Sequence, residues 1–536
     1  MSDSYRIQVN EVDRSQTVQP NAGTTGAMVL TDAISGPSKP MFFSRGETNR
    51  LNDIFGYEKV GHTQVWEAKQ FLNQASMWVS APYDPTSTNS GAFASSTGFT
   101  KISDGEDPGV GTGDVEPSFQ DTTQYFAVFE KYPSTENRLR VAFTYDDSGS
   151  ENLWTLEVQL KRGRSWEIVG EYTFTLYDGV TGDMGRSLYY EDVLADNPYI
   201  VLFANPDVGH ALGEEDPTAG TPVTMSFPDD GSNAITLDGG SRVVPTDTEV
   251  AAAWQQFQSF RKYPFAIAMD ASTNESVPAE FDTLRNSYQK YASYILPLPP
   301  GEDASTAIDT RQNGVYSGIS NRGISIYWNH GKVKSGSQVF WTPLTGRVGV
   351  KFAQMVNVFN GLAPSWIDEN NHGGQLGAGI MDLEFDPSED FLEQMDKATI
   401  NPIILDPVNG PMIVSQRTSV TGNLSDDSWI AHSRLFDYII KNIKEQVLVT
   451  QITKLNDDIH RRLATSKGQT IIQPIVEANL LNDAKIKCDL SNNDANARSQ
   501  RQFVFSLAVQ VTPFSEYIVF NFVKAGQGVS VSSVLD

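Results

Sequence analysis

Near the end of this 536-residue chain, two short runs alternate large apolar side chains with small or polar ones. A repeat of two residues is typical of a β-strand that buries one face. No further run follows that could pair with the second strand, so its backbone donors and acceptors would stay exposed. The pattern therefore predicts that another molecule covers this strand. The apolar positions are Phe503, Phe505, Leu507, Val509 and Val511 in the first run, and Ile518, Phe520 and Phe522 in the second.

The opposite end of the chain carries a similar feature. Ile7 and Val9 alternate with polar residues in 5–12, and a polar, turn-prone run separates them from the first compact-looking segment. We interpret this as a short strand on a flexible lead. Two arms tipped with strands, attached to one large body, predict a subunit that is linked to its neighbours.

The charge balance restricts the partners of the chain. Its formal net charge is −26, whereas phosphate binding requires clustered Lys and Arg, so nucleic acid is not expected as the main partner. An anionic membrane surface is disfavoured for the same reason, and no apolar run approaches the length that spans a bilayer. The excess of acid favours solubility at high local concentration, or it reflects an acidic protein from a salty environment.

The spacing of apolar residues along the chain predicts a multidomain α+β or α/β protein. Strand-like and helix-like runs alternate in the body, whereas a stretch of period-two runs between polar, Gly- and Pro-rich segments predicts an inserted antiparallel β domain. The predicted parts are an arm at 1–22, an α/β body at 23–82 and 234–400, the β domain with flexible linkers at 83–233, a C-terminal α/β core at 401–512, and an arm at 513–536.

Helical spacing of apolar residues recurs along the body and the C-terminal core. One helix is expected over 247–262, with Phe260 on its apolar face. In the last third, Leu435, Ile439 and Val447 indicate a first helix. A second is marked by Leu455, Ile459 and Leu463, and a third is expected over 471–482.

No residue pattern points to a chemical reaction. The six histidines form no pair at helical spacing, and the single cysteine, Cys488, excludes a disulfide framework or a zinc ribbon. The glycines at 109–113 lack the preceding strand and following helix of a phosphate loop, so plain flexibility is the interpretation. We therefore predict no catalytic residue, metal or cofactor, and a chain that is not an enzyme.

The final third contains several motifs in a recognisable order. These are NPIILDPVNGPMIVSQRTSV at 401–420, SDDSWIAHSRLFDYI at 425–439, KCDLSNND at 487–494 and VQVTPFSEYIVFNF at 509–522. Together with VNEVDRS at 9–15, TTGAMVLTDAISGPSKP at 24–40 and TLDGGS at 236–241, this order resembles the contractile tail sheath proteins of myovirus-type bacteriophages. One departure is FWTP at 340–343, where the family more often has a W-x-x-P-A stretch.

The resemblance implies a structural subunit of the virion tail that is assembled in the host cytoplasm. Such subunits form a helical or ring-like homo-oligomer around the tail tube protein, next to baseplate and tail-terminator proteins. Sheath subunits contract from a metastable extended state and drive the tube through the host envelope. Their terminal arms donate strands to sheets in neighbouring subunits, which would assign inter-subunit roles to Ile7, Val9, Ile518, Phe520 and Phe522.

Two questions stay open at the level of sequence. Arg434, Lys441 and Lys444 lie off the apolar face of their helix, where they either face the tube or form a solvated surface. The chain could also be an acidic carbohydrate-binding or adhesin-like protein whose β domain binds ligand, or the sheath of a related contractile injection system.

Overall fold

The computed structural model describes residues 24–95, 98–101, 119, 124–146, 153–182, 185–205, 234–358 and 374–513. The chain separates into two compact units, Met1–Leu435 and Phe436–Asp536. The five residues predicted to donate strands, Ile7, Val9, Ile518, Phe520 and Phe522, lie outside the described residues.

The described residues contain strands of three to ten residues. In chain order they are β1 Gly26–Val29, β2 Met41–Phe43, β3 Met77–Ser80, β4 Gly91–Ser95, β5 Gly98–Lys101, β6 Gln124–Glu130, β7 Leu139–Asp146, β8 Leu153–Arg162, β9 Ser165–Phe174, β10 Ile200–Ala204, β11 Ala234–Thr236, β12 Ile267–Met269, β13 Ser293–Pro297, β14 Ile324–Trp328, β15 Gly331–Ser335, β16 Gln338–Thr342, β17 Ile380–Leu383, β18 Ile400–Asp406, β19 Gly410–Ile413, β20 Leu481–Lys487 and β21 Ser506–Val511.

The helices are α1 Thr48–Phe55, α2 Gln64–Leu72, α3 Tyr190–Leu194, α4 Asp247–Gln255, α5 Val277–Thr283, α6 Ala304–Asn313, α7 Thr345–Val358, α8 Glu389–Lys397, α9 Ile430–Asn442, α10 Asp458–Glu477 and α11 Ala495–Ser499. Three of them change their winding at the C-terminal end. A 3₁₀ turn, Gln256–Gln258, follows α4, and π-helical turns, Leu284–Tyr288 and Ile443–Leu448, follow α5 and α9.

An eight-stranded sheet forms the centre of the unit Met1–Leu435. Its order is β19-β18-β14-β13-β12-β1-β3-β2, with parallel inner strands and an antiparallel strand at each edge. Ala27 and Val29 of β1 join the apolar core on one face, and Met28 and Leu30 join the core on the other. Burial on both faces explains why these strands are continuous apolar runs. The protein is a mixed α/β protein, as predicted.

The sheet extends past the sequence boundary drawn between residues 400 and 401. β18 pairs in parallel with β14, and β19 then returns antiparallel to β18. The Pro- and Asn-containing turn at 407–410 therefore joins two strands of one sheet. The predicted boundary falls at the start of β18, where α8 ends at Lys397 and the strand begins at Ile400. A change from helical to strand-like periodicity looks the same in sequence whether it separates two elements of one sheet or two domains.

Two four-stranded antiparallel sheets lie between β3 and α4 in the chain. Their orders are β10-β6-β4-β5 and β11-β7-β8-β9, and side chains from both sheets share one core. Phe126 and Trp154 meet edge to face in that core, with ring centroids 5.1 Å apart. The antiparallel strands expected here from the period-two pattern are confirmed. β11, which the sequence reading gave to the body, pairs with β7.

One buried arginine joins the ends of this β region to the central sheet region. Arg242 donates to the carbonyls of Ala81 at 2.8 Å and Pro82 at 3.0 Å, and also to those of Gly36 and Pro133. Burial lowers the pKa of Arg242 to about 10, and neutral carbonyl dipoles supply the partners of its charge. The polar segments around this arginine are therefore fixed by hydrogen bonds rather than acting as loose linkers.

Two helix predictions are corrected by the structure. The helix expected over 247–262 ends its regular turns at Gln255, and the side chain of Phe260 is 55% exposed. The helices expected around Ile459 and over 471–482 are one continuous helix, α10, and β20 then begins at Leu481. Gly468 is a packing position within α10, and the helix continues through Pro474.

Candidate inter-subunit site

The unit Phe436–Asp536 contains a two-stranded antiparallel sheet that packs on α10. β20 pairs with β21, so that Ala484 lies opposite Val509 and Lys487 opposite Ser506. A register irregularity lies between Leu481 and Asp483, where the strand leaves the helix. The strand predicted over 503–511 is thus confirmed for Ser506–Val511. Its partner was missed, because only Leu481, Ala484 and Ile486 carry apolar character in β20.

Helix and sheet approach each other most closely at Gly468. A Cβ atom at this position would lie 2.8 Å from the ring of Phe505 and 2.9 Å from the terminal methyl of Ile486. Both distances are below van der Waals contact, so only glycine fits. The apolar side chains that alternate along β20 and β21 therefore face α10, and the sequence pattern of period two has its physical cause in this contact.

The opposite face and the two long edges of this sheet are exposed. Lys485, Lys487, Ala508 and Gln510 point away from the helix and are exposed. Among the residues that the structure describes, neither β20 nor β21 has a second strand partner. A two-stranded sheet is marginal by itself and leaves half of its backbone groups available for pairing. Edges of this kind are the type that other proteins use to receive an added strand.

The segment that joins the two strands is held by Asn493. Its side chain is fully buried, and its amide donates to the carbonyl of Val504 at 2.8 Å while its oxygen accepts from the Val504 N–H at 2.7 Å. Asn456 adds a third contact at 3.1 Å to the same oxygen. The motif KCDLSNND, noted in the sequence for its resemblance alone, therefore has a structural role. It fixes where β21 starts.

Electrostatic contacts at the N-terminal end of α10 and at Cys488 are local. Asp457 caps α10 by accepting from the His460 N–H at 2.9 Å, and this hydrogen bond holds the pKa of the Asp457 carboxyl below its usual range. Burial raises the pKa of the Cys488 thiol, which disfavours the reactive thiolate. Cys488 is a buried thiol, as the sequence predicted.

The three candidate tube-facing residues have different surroundings. Within the unit Met1–Leu435, Arg434 donates to the carbonyl of Phe352 at 2.8 Å, and its guanidinium lies 4.5 Å from the Phe352 ring centroid. In the unit Phe436–Asp536, Lys441 is half-buried and Lys444 is exposed on the π-helical turn. Arg434 is thus engaged in packing against α7, a role that its sequence context did not reveal.

The position where a ligand would bind in an open α/β sheet is occupied by local hydrogen bonds. Such ligands lie beyond the carboxyl ends of the strands where the strand order reverses, here between β1 and β12. Asp32 follows β1 and accepts from the backbone of Thr63 and Gln64 at the start of α2. Asp270 follows β12 and accepts from Ser272 and Thr273. Burial raises the pKa of each carboxyl to about 6.

Across the described ranges, no three His, Cys, Asp or Glu side chains are grouped so that they could hold a metal ion. No helix in those ranges has both the length and the hydropathy of a bilayer span.

Two solved structures share the fold over most of the chain. The sheath tail protein of Listeria innocua aligns with a TM-score of 0.54 and 11% identity, covering 91% of this chain and 95% of that one. The sheath tail protein of Desulfitobacterium hafniense aligns with a TM-score of 0.52 and 11% identity, covering 88% and 92%. No protein family and no curated protein matches by sequence. The likeness to sheath tail proteins predicted from sequence motifs is confirmed at the level of the fold.

Proposed function

We propose that this chain is the subunit of a contractile tail sheath. It would polymerise around a tail tube and contract from a metastable extended state, which drives the tube through a host envelope. The observation that carries the proposal is the fold, shared with two sheath tail proteins over about nine-tenths of each chain. The open edges of the two-stranded sheet supply the means of assembly.

Strand exchange is the proposed link between copies. The arms that contain Ile7 and Val9, and Ile518, Phe520 and Phe522, would add strands to the exposed edges of β20 and β21 in neighbouring copies. Each added strand of this length makes roughly five hydrogen bonds, at about 1 kcal/mol net apiece. Because several such strands hold each subunit, the links survive while subunits rotate and slide past one another.

Contraction in this proposal is a change of packing and not a reaction. The extended and contracted arrangements would be two packings of the same subunit that differ in free energy, as in other switches between bistable interfaces. No nucleotide, metal or other cofactor takes part, and no enzyme activity is invoked. The partners are other copies, the tube protein, and baseplate and tail-terminator proteins, in a virion tail assembled in the host cytoplasm.

The proposed tube-facing surface rests on two lysines. Lys441 lies in the last turn of α9 and Lys444 in the π-helical turn that follows. We propose these two lysines as the tube-facing cations. The guanidinium of Arg434 is held by Phe352, so Arg434 would orient the start of the helix instead.

Electron microscopy of the purified full-length chain tests the proposal. Ordered tubes are expected for the wild type, and a chain that stays monomeric while its β region binds carbohydrate would overturn the sheath assignment in favour of an adhesin. The origin of a sheath, from a phage or from a related injection system, is a separate matter that genome neighbourhood answers.

A pair of matched variants tests the strand-exchange step. Ile7→Asp with Val9→Asp places two charges on the apolar side of the predicted strand and should abolish ordered tubes. Gln8→Asp with Asn10→Asp introduces the same charges on the polar side of the same arm and should leave tubes intact. Equal loss in both variants would indicate that the arm is needed for its charge or length and not as a strand.

A further inference from the structure

The distribution of acidic residues along the chain has one large gap. Residues 310–367 contain no Asp or Glu, although the whole chain has 66 of them among 536 residues. The same stretch contains six cations, namely Arg311, Arg322, Lys332, Lys334, Arg347 and Lys351. A positive segment of this length in a strongly acidic protein calls for a physical explanation.

Three of the six cations are used inside the fold. Arg311 is buried and donates to Thr399 Oγ1 at 3.0 Å and to the Ser419 carbonyl at 3.0 Å. Arg322 forms an ion pair with Asp427 at 3.3 Å. The guanidinium of Arg347 lies 5.5 Å from the Trp66 ring centroid. Structural demands therefore explain these arginines, but they do not explain the two lysines of β15.

Lys332 and Lys334 lie on the outer side of a three-stranded antiparallel sheet, β16-β15-β17. Val333, between them, points inward and is fully buried, as is most of Phe340. On the outer side, Lys332 lies opposite Trp341 and Lys334 opposite Val339. We call these four outward residues the basic–aromatic face: Lys332, Lys334, Val339 and Trp341.

The basic–aromatic face combines apolar exposure with positive charge. Trp341 is 41% exposed and Val339 is 37% exposed, on a side of the sheet that faces solvent. The ammonium group of Lys332 lies 5.7 Å from the Trp341 ring centroid, which keeps the indole beside a cation. Asp382 is the cross-strand neighbour of Lys332 on β17 and offsets part of its charge, whereas Lys334 is paired across the sheet with Val339.

A partner for this face needs an acidic surface with room for an indole ring. Tryptophan is among the residue types that carry most binding energy at the centre of protein interfaces, and lysines beside it would select a partner of opposite charge. The chain itself is rich in acidic residues. Residues 436–536 contain eleven Lys or Arg and ten Asp or Glu, so the excess negative charge of the molecule lies in residues 1–435.

We propose that the basic–aromatic face docks on the acidic surface of a second copy of this chain. Copies that each carry a net charge of −26 repel one another, and a surface of opposite sign lowers that repulsion where it is presented. This inference rests on the proposed function only in that the copies assemble. It adds a contact between subunit bodies, separate from the strand edges of β20 and β21.

Assembly of the full-length protein tests the docking. Lys332→Glu with Lys334→Glu, and separately Trp341→Ser, should raise the protein concentration needed for tube formation about tenfold or more, measured by sedimentation and electron microscopy. Lys39→Glu with Lys290→Glu changes the charge equally at two exposed lysines elsewhere, and Phe260→Ser removes another exposed aromatic ring. Both controls should assemble nearly as the wild type does, and all variants should keep the wild-type melting temperature.

Salt supplies a second readout. It screens the repulsion between acidic copies in every variant, but it screens the attraction of the two lysines for an acidic surface only in the wild type. The difference in assembly between the wild type and the Lys332→Glu, Lys334→Glu variant should therefore shrink as the salt concentration rises. If the wild type forms tubes and the face variants form them at the same concentration, the docking is overturned while the sheath assignment stands. Normal tubes with loss of tube-protein binding would assign the face to the tube and also overturn the second-copy proposal. If the wild type forms no tubes, the proposed function itself fails.

Discussion

The guanidinium of Arg138 lies 2.9 Å from the carboxylate of Glu130, and the two side chains are only 7% and 1% exposed. Arg138 also donates to the backbone carbonyls of Asp53 at 2.8 Å and Ile54 at 3.0 Å, at the end of α1. Burial raises the pKa of Glu130, and Arg138 opposes that rise. This ion pair therefore links the antiparallel sheets to α1. Removing either residue would leave the other charge buried without a partner.

Replacing Arg138 should be among the more damaging single changes. Arg138→Met leaves Glu130 buried without its cation and removes two caps of α1, so the free energy of unfolding should fall by about 3–5 kcal/mol. Denaturant titration followed by fluorescence measures the change. Arg140→Met, two residues along the same edge of the β region and only half-buried, is the control and should cost under about 1 kcal/mol. Similar losses in the two variants would contradict the importance of the buried pair.

Asp270 should make stability depend on pH between about 4 and 6. Burial raises its pKa from an ordinary 3.8 to about 6, so the folded state holds the proton more tightly than the unfolded state. The stability linked to this proton is complete below about pH 4 and is lost as the pH rises through about 6, a loss of roughly 3 kcal/mol. Denaturant titrations across this range should show a shallower decline for Asp270→Asn. The exposed Asp386→Asn should follow the wild type, and a parallel decline in Asp270→Asn would refute the assignment.

The close approach at Gly468 predicts a strong effect of side-chain volume. Gly468→Val would press into Phe505 and Ile486 and should separate α10 from the sheet, which lowers stability by about 1–3 kcal/mol. Hydrogen exchange of the β20 and β21 amides, which reports local opening, should accelerate. Ser466→Val adds a similar side chain at an exposed position of the same helix and should change neither quantity appreciably.

Asn493 should control the order of the segment before β21. Asn493→Ala removes its hydrogen bonds to Val504 and leaves half-buried backbone groups without partners, with an expected loss of about 1–3 kcal/mol. Limited proteolysis should then cut between 488 and 505 faster than in the wild type. Asn496→Ala, at an exposed position, is the matched control. Unchanged cleavage in Asn493→Ala would contradict the role of Asn493 in holding the segment before β21.

The central strands were predicted well because burial on both faces requires a continuous run of apolar residues in the sequence. β1, β12 and β13 are short apolar runs, and nothing but a buried strand or a buried helix produces such runs. β20 was missed for the opposite reason. One of its faces is solvated, its register shifts near Leu481, and the helix-like spacing of apolar residues in α10 runs up to its first residue.

The candidate site could be predicted only in part, because its strand pairing depends on residues that are distant in the sequence. Period-two alternation identified β21, but nothing in the sequence states that its neighbour is β20 or that Asn493 sets the start of the strand. Pairing partners depend on contacts between distant segments, which local periodicity does not encode. Arg434 illustrates the same point, since its contact with Phe352 joins residues 82 positions apart.

Arg242 has a consequence for how such a protein can vary. Because one side chain gathers the carbonyls of Ala81 and Pro82 while Ser241 pairs with Thr88, the outgoing and returning backbones are already joined at their base. The segment between them closes a loop whose ends are joined at this junction, and Arg138 adds a second attachment to α1. A different domain inserted between residues 91 and 236 would therefore have the same attachment point. The inserted domain could be exchanged without redesign of the eight-stranded sheet.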